Sequence, residues 1–182
     1  MIKSIYRPAN RQPRRKPTKE EEARARHAYE LLSSWHTIPG TQPDGSIDEE
    51  QLLAWATAAR AALPDHRDAC DDQLGHVVAW APAGTDGPWP HESVRALIEQ
   101  IASTPLDDGF CAGVFNKRGV FTKNPFEGGV QERALGTQYR GWGEAMAAAS
   151  PRTAAALLQI ADGYDRQAHR EDVRAQRLRI ER

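Results

Sequence analysis

Pro90-His-Glu-Ser-Val-Arg-Ala-Leu-Ile-Glu-Gln-Ile101 decides the fold. Its Val94, Leu97, Ile98 and Ile101 recur at steps of three and four, which stacks them on one stripe of a helix and fits no strand. Pro90 suits the first helical turn, where an amide has no intrahelical partner to lose. A helix opening at Pro90 is therefore expected.

The same period continues outward in both directions. Upstream, Leu74, Val77, Val78 and Ala81 mark a helix that stops before Pro82, and Ala83-Gly-Thr-Asp-Gly-Pro-Trp89 is dense in turn residues. Ser46-Ile-Asp-Glu49 reads as a capping box ahead of Leu52, Trp55, Ala59 and Ala62 or Leu63, and Thr18-Lys-Glu-Glu21 reads as another ahead of Ala25, Ala28, Tyr29, Leu32 and Trp35. Downstream, a short helix over about 106–115 is weakened by Gly109 and Gly113. Leu135, Tyr139, Trp142 and Met146 give the next helix its buried side. Ser150-Pro151 then starts a last helix that buries Ala154, Leu157, Leu158, Ala161 and Tyr164 before charges dominate.

The expectation is an all-α protein, a single irregular bundle of about six to seven helices. Residues 18–164 form the helical domain, residues 165–182 a charged extension of the last helix, and residues 1–17 an extended basic arm or the remnant of an upstream domain. Trp35, Trp55 and Trp142 are expected in the core, because a surface position would waste their apolar area.

Charge is distributed unevenly along the chain. The 24 basic and 25 acidic residues nearly cancel, but Lys3, Arg7, Arg11, Arg14, Arg15 and Lys16 precede any acid. Removing those six leaves 18 bases against 25 acids, a net of about −7 for the remainder. No apolar run is long enough to cross a bilayer, and the N-terminus has no apolar signal region, which implies a cytoplasmic protein that does not enter membranes. Cys70 and Cys111 lack metal-ligand spacing and read as buried thiols, so neither a metal nor another cofactor is expected.

Asn116-Lys-Arg-Gly-Val-Phe-Thr-Lys-Asn-Pro-Phe-Glu-Gly-Gly129 is the one long break in the helical pattern, with three cations and three glycines. Asn116, Lys117, Arg118 and Lys123 are its candidates for contact with an anion or a partner, glycine amides assisting. In the plainer reading, Phe115, Val120, Phe121 and Phe126 plug the core while the cations face water. The spacing is not that of a phosphate-binding loop.

Arg166, Arg170 and Arg174 step along the last helix at four-residue intervals, with Arg177 following. Together with Arg14, Arg15 and Lys16 they are candidates for phosphate or partner contact. Asp165, Glu171, Asp172 and Glu181 interleave with them, as on a solvated helix laced with ion pairs. Other chemistry has thinner support. No histidine pair has metal spacing; Asp72 and His76 share a helix face as a solvated pair sooner than a catalytic one. Asp71-Asp72 and Asp107-Asp108 point about 100° apart within each pair. These residues point first to a non-catalytic interaction or assembly module. A nucleic-acid accessory using the arm and the arginine row is the alternative, and an enzyme with its site near the loop ranks third.

Several segments also resemble the C-terminal region of certain large bacterial proteins, a family of unknown function. They are Ala28-Tyr-x-Leu-Leu, Trp35-x-x-x-Pro-Gly-Thr41, Asp86-Gly-x-Trp-Pro90, Phe115-Asn-x-Arg-Gly-Val120, Gly128-Gly-x-Gln-Glu-Arg133 and Pro151-Arg-Thr-Ala154. The resemblance implies a helical terminal module acting with a larger upstream region or a partner chain, and it carries over no catalytic residue.

Overall fold

The computed structural model describes residues 18–20, 22, 23, 26, 30, 34–119 and 122–181. The basic arm with Arg14, Arg15 and Lys16 lies outside the described residues, as do Glu21, Ala25, Ala28, Tyr29 and Leu32 of the first expected helix and Val120 and Phe121 of the loop. Lys19, Glu20, Glu22, Ala23, Arg26 and Glu30 are helical, and the Glu22 amide donates to the Thr18 carbonyl at 2.9 Å.

From Glu49 onward the described residues form six α-helices: α1 Glu49–Ala62, α2 Arg67–Val78, α3 Glu92–Ile101, α4 Thr104–Lys117, α5 Val130–Met146 and α6 Pro151–Ile180. A 3-10 turn at Pro64–His66 joins α1 to α2. Among the described residues β pairing is limited to one antiparallel bridge between Thr41 and Ile47, so the protein is an all-α bundle, as expected. Leu52, Val78, Val94, Leu97, Ile98, Leu106, Phe110, Leu157, Ile160 and Tyr164 meet in one core. Each such side chain contributes about 1.5–3 kcal/mol on leaving water.

The most extensive helix contacts are α5 on α6 and α2 on α4. The second depends on two glycines: a Cβ on Gly75 would overlap the Leu106 carbonyl and the Phe110 amide, and one on Gly109 would overlap the Asp72 carbonyl. Backbone rests on backbone there, so the glycines that lower helix propensity set the distance between the helices. α4 runs from Thr104 to Lys117, longer at both ends than its propensity suggests.

Local signals are corrected at three points. Asp48, not Ser46, caps α1, its carboxylate accepting from the Gln51 amide at 2.9 Å, while the Ser46 amide and hydroxyl both donate to Asp44. Pro90 does not enter α3: it follows Trp89 through a cis peptide, and His91 caps the helix with Nδ1 facing the Ser93 amide. The expected core tryptophans sit further out, with Trp35 at 37% exposure and Trp55 and Trp142 half-buried.

Trp89, at the end of the segment dense in turn residues, is the buried indole. Its Nε1–H donates to the Ala81 carbonyl at 2.7 Å, and its ring stacks on Phe110 at 5.3 Å and meets Tyr139 and Trp142 at 5.8 Å. The loop is held inward by Arg95, which is buried, donates to the Pro90 carbonyl at 2.8 Å and grips both oxygens of Asp86.

Candidate functional site

The helical pattern breaks two residues later than the sequence suggests, since Asn116 and Lys117 belong to α4. The four loop candidates then diverge. Asn116 is exposed. The Lys117 ammonium lies 5.5 Å from the Trp80 ring centre and 5.7 Å from that of Trp89, and desolvation there lowers its pKa. Arg118 and Lys123 converge instead, on the carboxylate of Glu132.

Glu132 stands in the first turn of α5 and is wholly buried. Arg118 donates to its Oε1 at 3.0 Å, and Lys123 lies 3.4 Å from its Oε2 and 2.9 Å from Glu171 on α6. Burial opposes the Glu132 charge, but its own amide and these two cations outweigh burial and hold its carboxyl below the usual range. Lys123 also donates to the Gly128 carbonyl at 3.3 Å. Arg118 and Lys123 therefore tie the loop to α5 and α6 rather than facing water, and the anion that they grip is supplied by the chain itself.

The sequence held a signal for Glu132. It shares a helix face with Tyr139 and Met146, seven and fourteen residues on, so it is an acid on an otherwise apolar stripe. An acid in that position needs a cation brought from elsewhere.

The interleaved acids of α6 are also engaged. Asp162 and Asp165 accept from Arg140 of α5, Asp172 accepts from Arg133 at 2.6 Å and from the Gly129 amide at 2.8 Å, and Glu171 meets Lys123. All four lie on the flanks of α6, toward α5 and the loop. Arg166, Arg170, Arg174 and Arg177 fall within about 80° of arc opposite buried Leu157, Tyr164, Ala168 and Ala175. These four arginines are exposed and make no ion pair with described residues. Of the acids expected to neutralise the row, Asp165, Glu171 and Asp172 are bound elsewhere, and Glu181 lies past the last helical residue.

No family model matches the chain, and no significant similarity links it to a curated protein or a solved structure.

Buried Asp71 pairs with Arg60 at 2.8 Å, and Asp107 pairs with Arg152 at 2.6 Å. Asp72 and His76 approach only to 3.9 Å, at the limit of an ion pair. Burial raises the Cys70 pKa, and burial followed by the charges of Asp107 and Asp108 pushes the Cys111 thiol up to about 12. Both thiols stay protonated at neutral pH and are poor nucleophiles. Among the described residues no group of three or more His, Cys, Asp or Glu side chains is placed to hold a metal, and no helix is long and apolar enough to cross a membrane.

Proposed function

We propose that the chain is a non-catalytic helical interaction module that works with a partner protein or a larger bacterial protein. The supporting observation is the division of charge on α6. Its acids serve the fold through Arg140, Arg133 and Lys123, while Arg166, Arg170, Arg174 and Arg177 are exposed and make no ion pair with described residues. A row of uncompensated guanidiniums attracts an anionic surface and sets the orientation in which it is laid down. Glu132, Asp71 and Asp107 are each engaged in ion pairs within the fold.

The spacing favours one second reading. Four-residue steps place the guanidiniums about 6 Å apart along the helix, which also suits a run of phosphates. The test places a photo-crosslinking phenylalanine analogue at Val173, Val130 or Trp35, each exposed, in the cells that produce the protein. The expected result is a discrete protein adduct from at least one position. Adducts to nucleic acid alone, or none from any position, would overturn the module.

A further inference from the structure

The outward side of α6 carries more than arginines. Val173 is 37% exposed and Ile180 is 77% exposed, two of the few large apolar side chains in contact with water. They are seven residues apart, so they lie in one row along the helix, beside the row of Arg166, Arg170, Arg174 and Arg177. The helix also outruns its neighbour. Gly129, at the start of α5, rests on Ala168, and Asp172 reaches back to the Gly129 amide, so residues 173–180 extend beyond the end of α5. Across that extension the loop covers one side, where Arg179 donates to the Phe126 carbonyl at 2.8 Å and Ala175 is buried. On the opposite side Arg174, Arg177, Val173 and Ile180 are exposed.

Resting on the interaction-module reading, we propose that this face of α6 docks an acidic amphipathic helix of a partner protein. The occupant is argued from chemistry. Val173 and Ile180, one heptad apart and beside a row of like charges, suit a short contact with a second helix, and the helix that completes it has apolar residues at the same spacing with Glu or Asp beside them. Phosphates would use the guanidiniums but leave Val173 and Ile180 without a partner surface. An acidic helix satisfies both rows, with carboxylates forming charge-assisted bonds to the arginines.

The probe is a synthetic peptide of about four heptads with leucine at the apolar positions and glutamate at the flanking ones, kept monomeric by its own charge. It is titrated by fluorescence anisotropy into the full chain at about 150 mM salt, where long-range attraction is screened. Comparison ligands are a scrambled peptide of the same composition and a DNA duplex of about 20 base pairs. The patterned peptide is expected to bind best. Val173→Asn with Ile180→Asn should weaken it at least about tenfold, and Arg166→Glu, Arg170→Glu and Arg174→Glu together should abolish it. All five positions are exposed, so the variants should keep the parent circular dichroism and melting behaviour.

Equal binding of the scrambled peptide would overturn the proposal, as would tighter binding of the duplex with log K falling about threefold faster than log salt rises. Binding of neither peptide would overturn it too. The crosslinking positions separate this failure from that of the module: adducts at Val130 or Trp35 with none at Val173 would remove the α6 face and leave an interaction module that docks elsewhere.

Discussion

The carboxylate of Glu99, on α3, sits on the N-terminus of α6, where it accepts from the Thr153 amide at 2.8 Å, the Thr153 hydroxyl at 2.9 Å and the Arg152 amide at 3.2 Å. Ser150, the expected cap, makes no capping bond with its side chain. A residue more than fifty positions away therefore supplies the acceptor and the negative charge that the first turn of a helix needs. Glu99→Ala should lower stability by about 1–2 kcal/mol, read as a shifted midpoint in urea. Ser150→Ala should shift it by much less. The reverse order would contradict the assignment.

Glu132→Gln should cost about 3 kcal/mol, because Arg118 and Lys123 would be left beside a neutral amide in a buried place. The value falls at the low end for a broken buried pair, since Lys123 keeps Glu171. The native pKa of Glu132 is depressed, so its contribution is complete above the ordinary glutamate value of about 4.3 and is lost as pH falls below it toward the native value. Urea midpoints of parent and variant should thus differ by a constant amount near neutrality and converge in acid. A gap that widened on acidification would refute this account.

Gly75→Ala and Gly109→Ala should each destabilise by about 1–3 kcal/mol or more, because the added methyl group meets backbone that cannot swing aside. Gly141→Ala tests the opposite sign. It lies inside α5 with nothing within 4 Å of a Cβ, so alanine should stabilise by about 1 kcal/mol. Thermal melts of the three variants suffice, and destabilisation of all three alike would argue against the close α2–α4 contact.

Trp89→Ala should cost about 3–5 kcal/mol, since the ring is in the core and its N–H bond to Ala81 is lost with it. Trp35→Ala should cost clearly less, given its exposure. The tryptophan emission should follow the same order, with loss of Trp89 removing the bluer component. Equal losses of stability in the two variants would count against this placement.

The contrast between these tryptophans shows what was legible in the sequence. Helical period identified α1, α2, α3, α5 and α6, because repeated apolar positions such as Val94, Leu97 and Ile98 encode burial locally. Trp89 escaped because turn residues surround it, and only the grip of Arg95 on Asp86 and on the Pro90 carbonyl makes that turn an inward one. Glycine misled for a similar reason. Gly109 lowers propensity within its own helix, and its value is apparent only when Asp72 of α2 is brought against it. At the candidate site, the residue types were readable but their pairing was not. Arg118 and Arg166 look alike in sequence, yet one meets a buried glutamate 14 positions on and the other faces solvent.

The projection of α6 past the start of α5 also sets a gradient of amide exchange along one continuous helix. Amides near Leu157 and Tyr164 open only with the core, whereas those from Val173 to Ile180 open whenever the last turns fray. The two ends thus report separate events, global unfolding at one and local opening at the other. Any molecule that settles on the projecting turns would slow exchange there first, so occupancy of this helix can be read amide by amide while the rest of the protein serves as its internal standard.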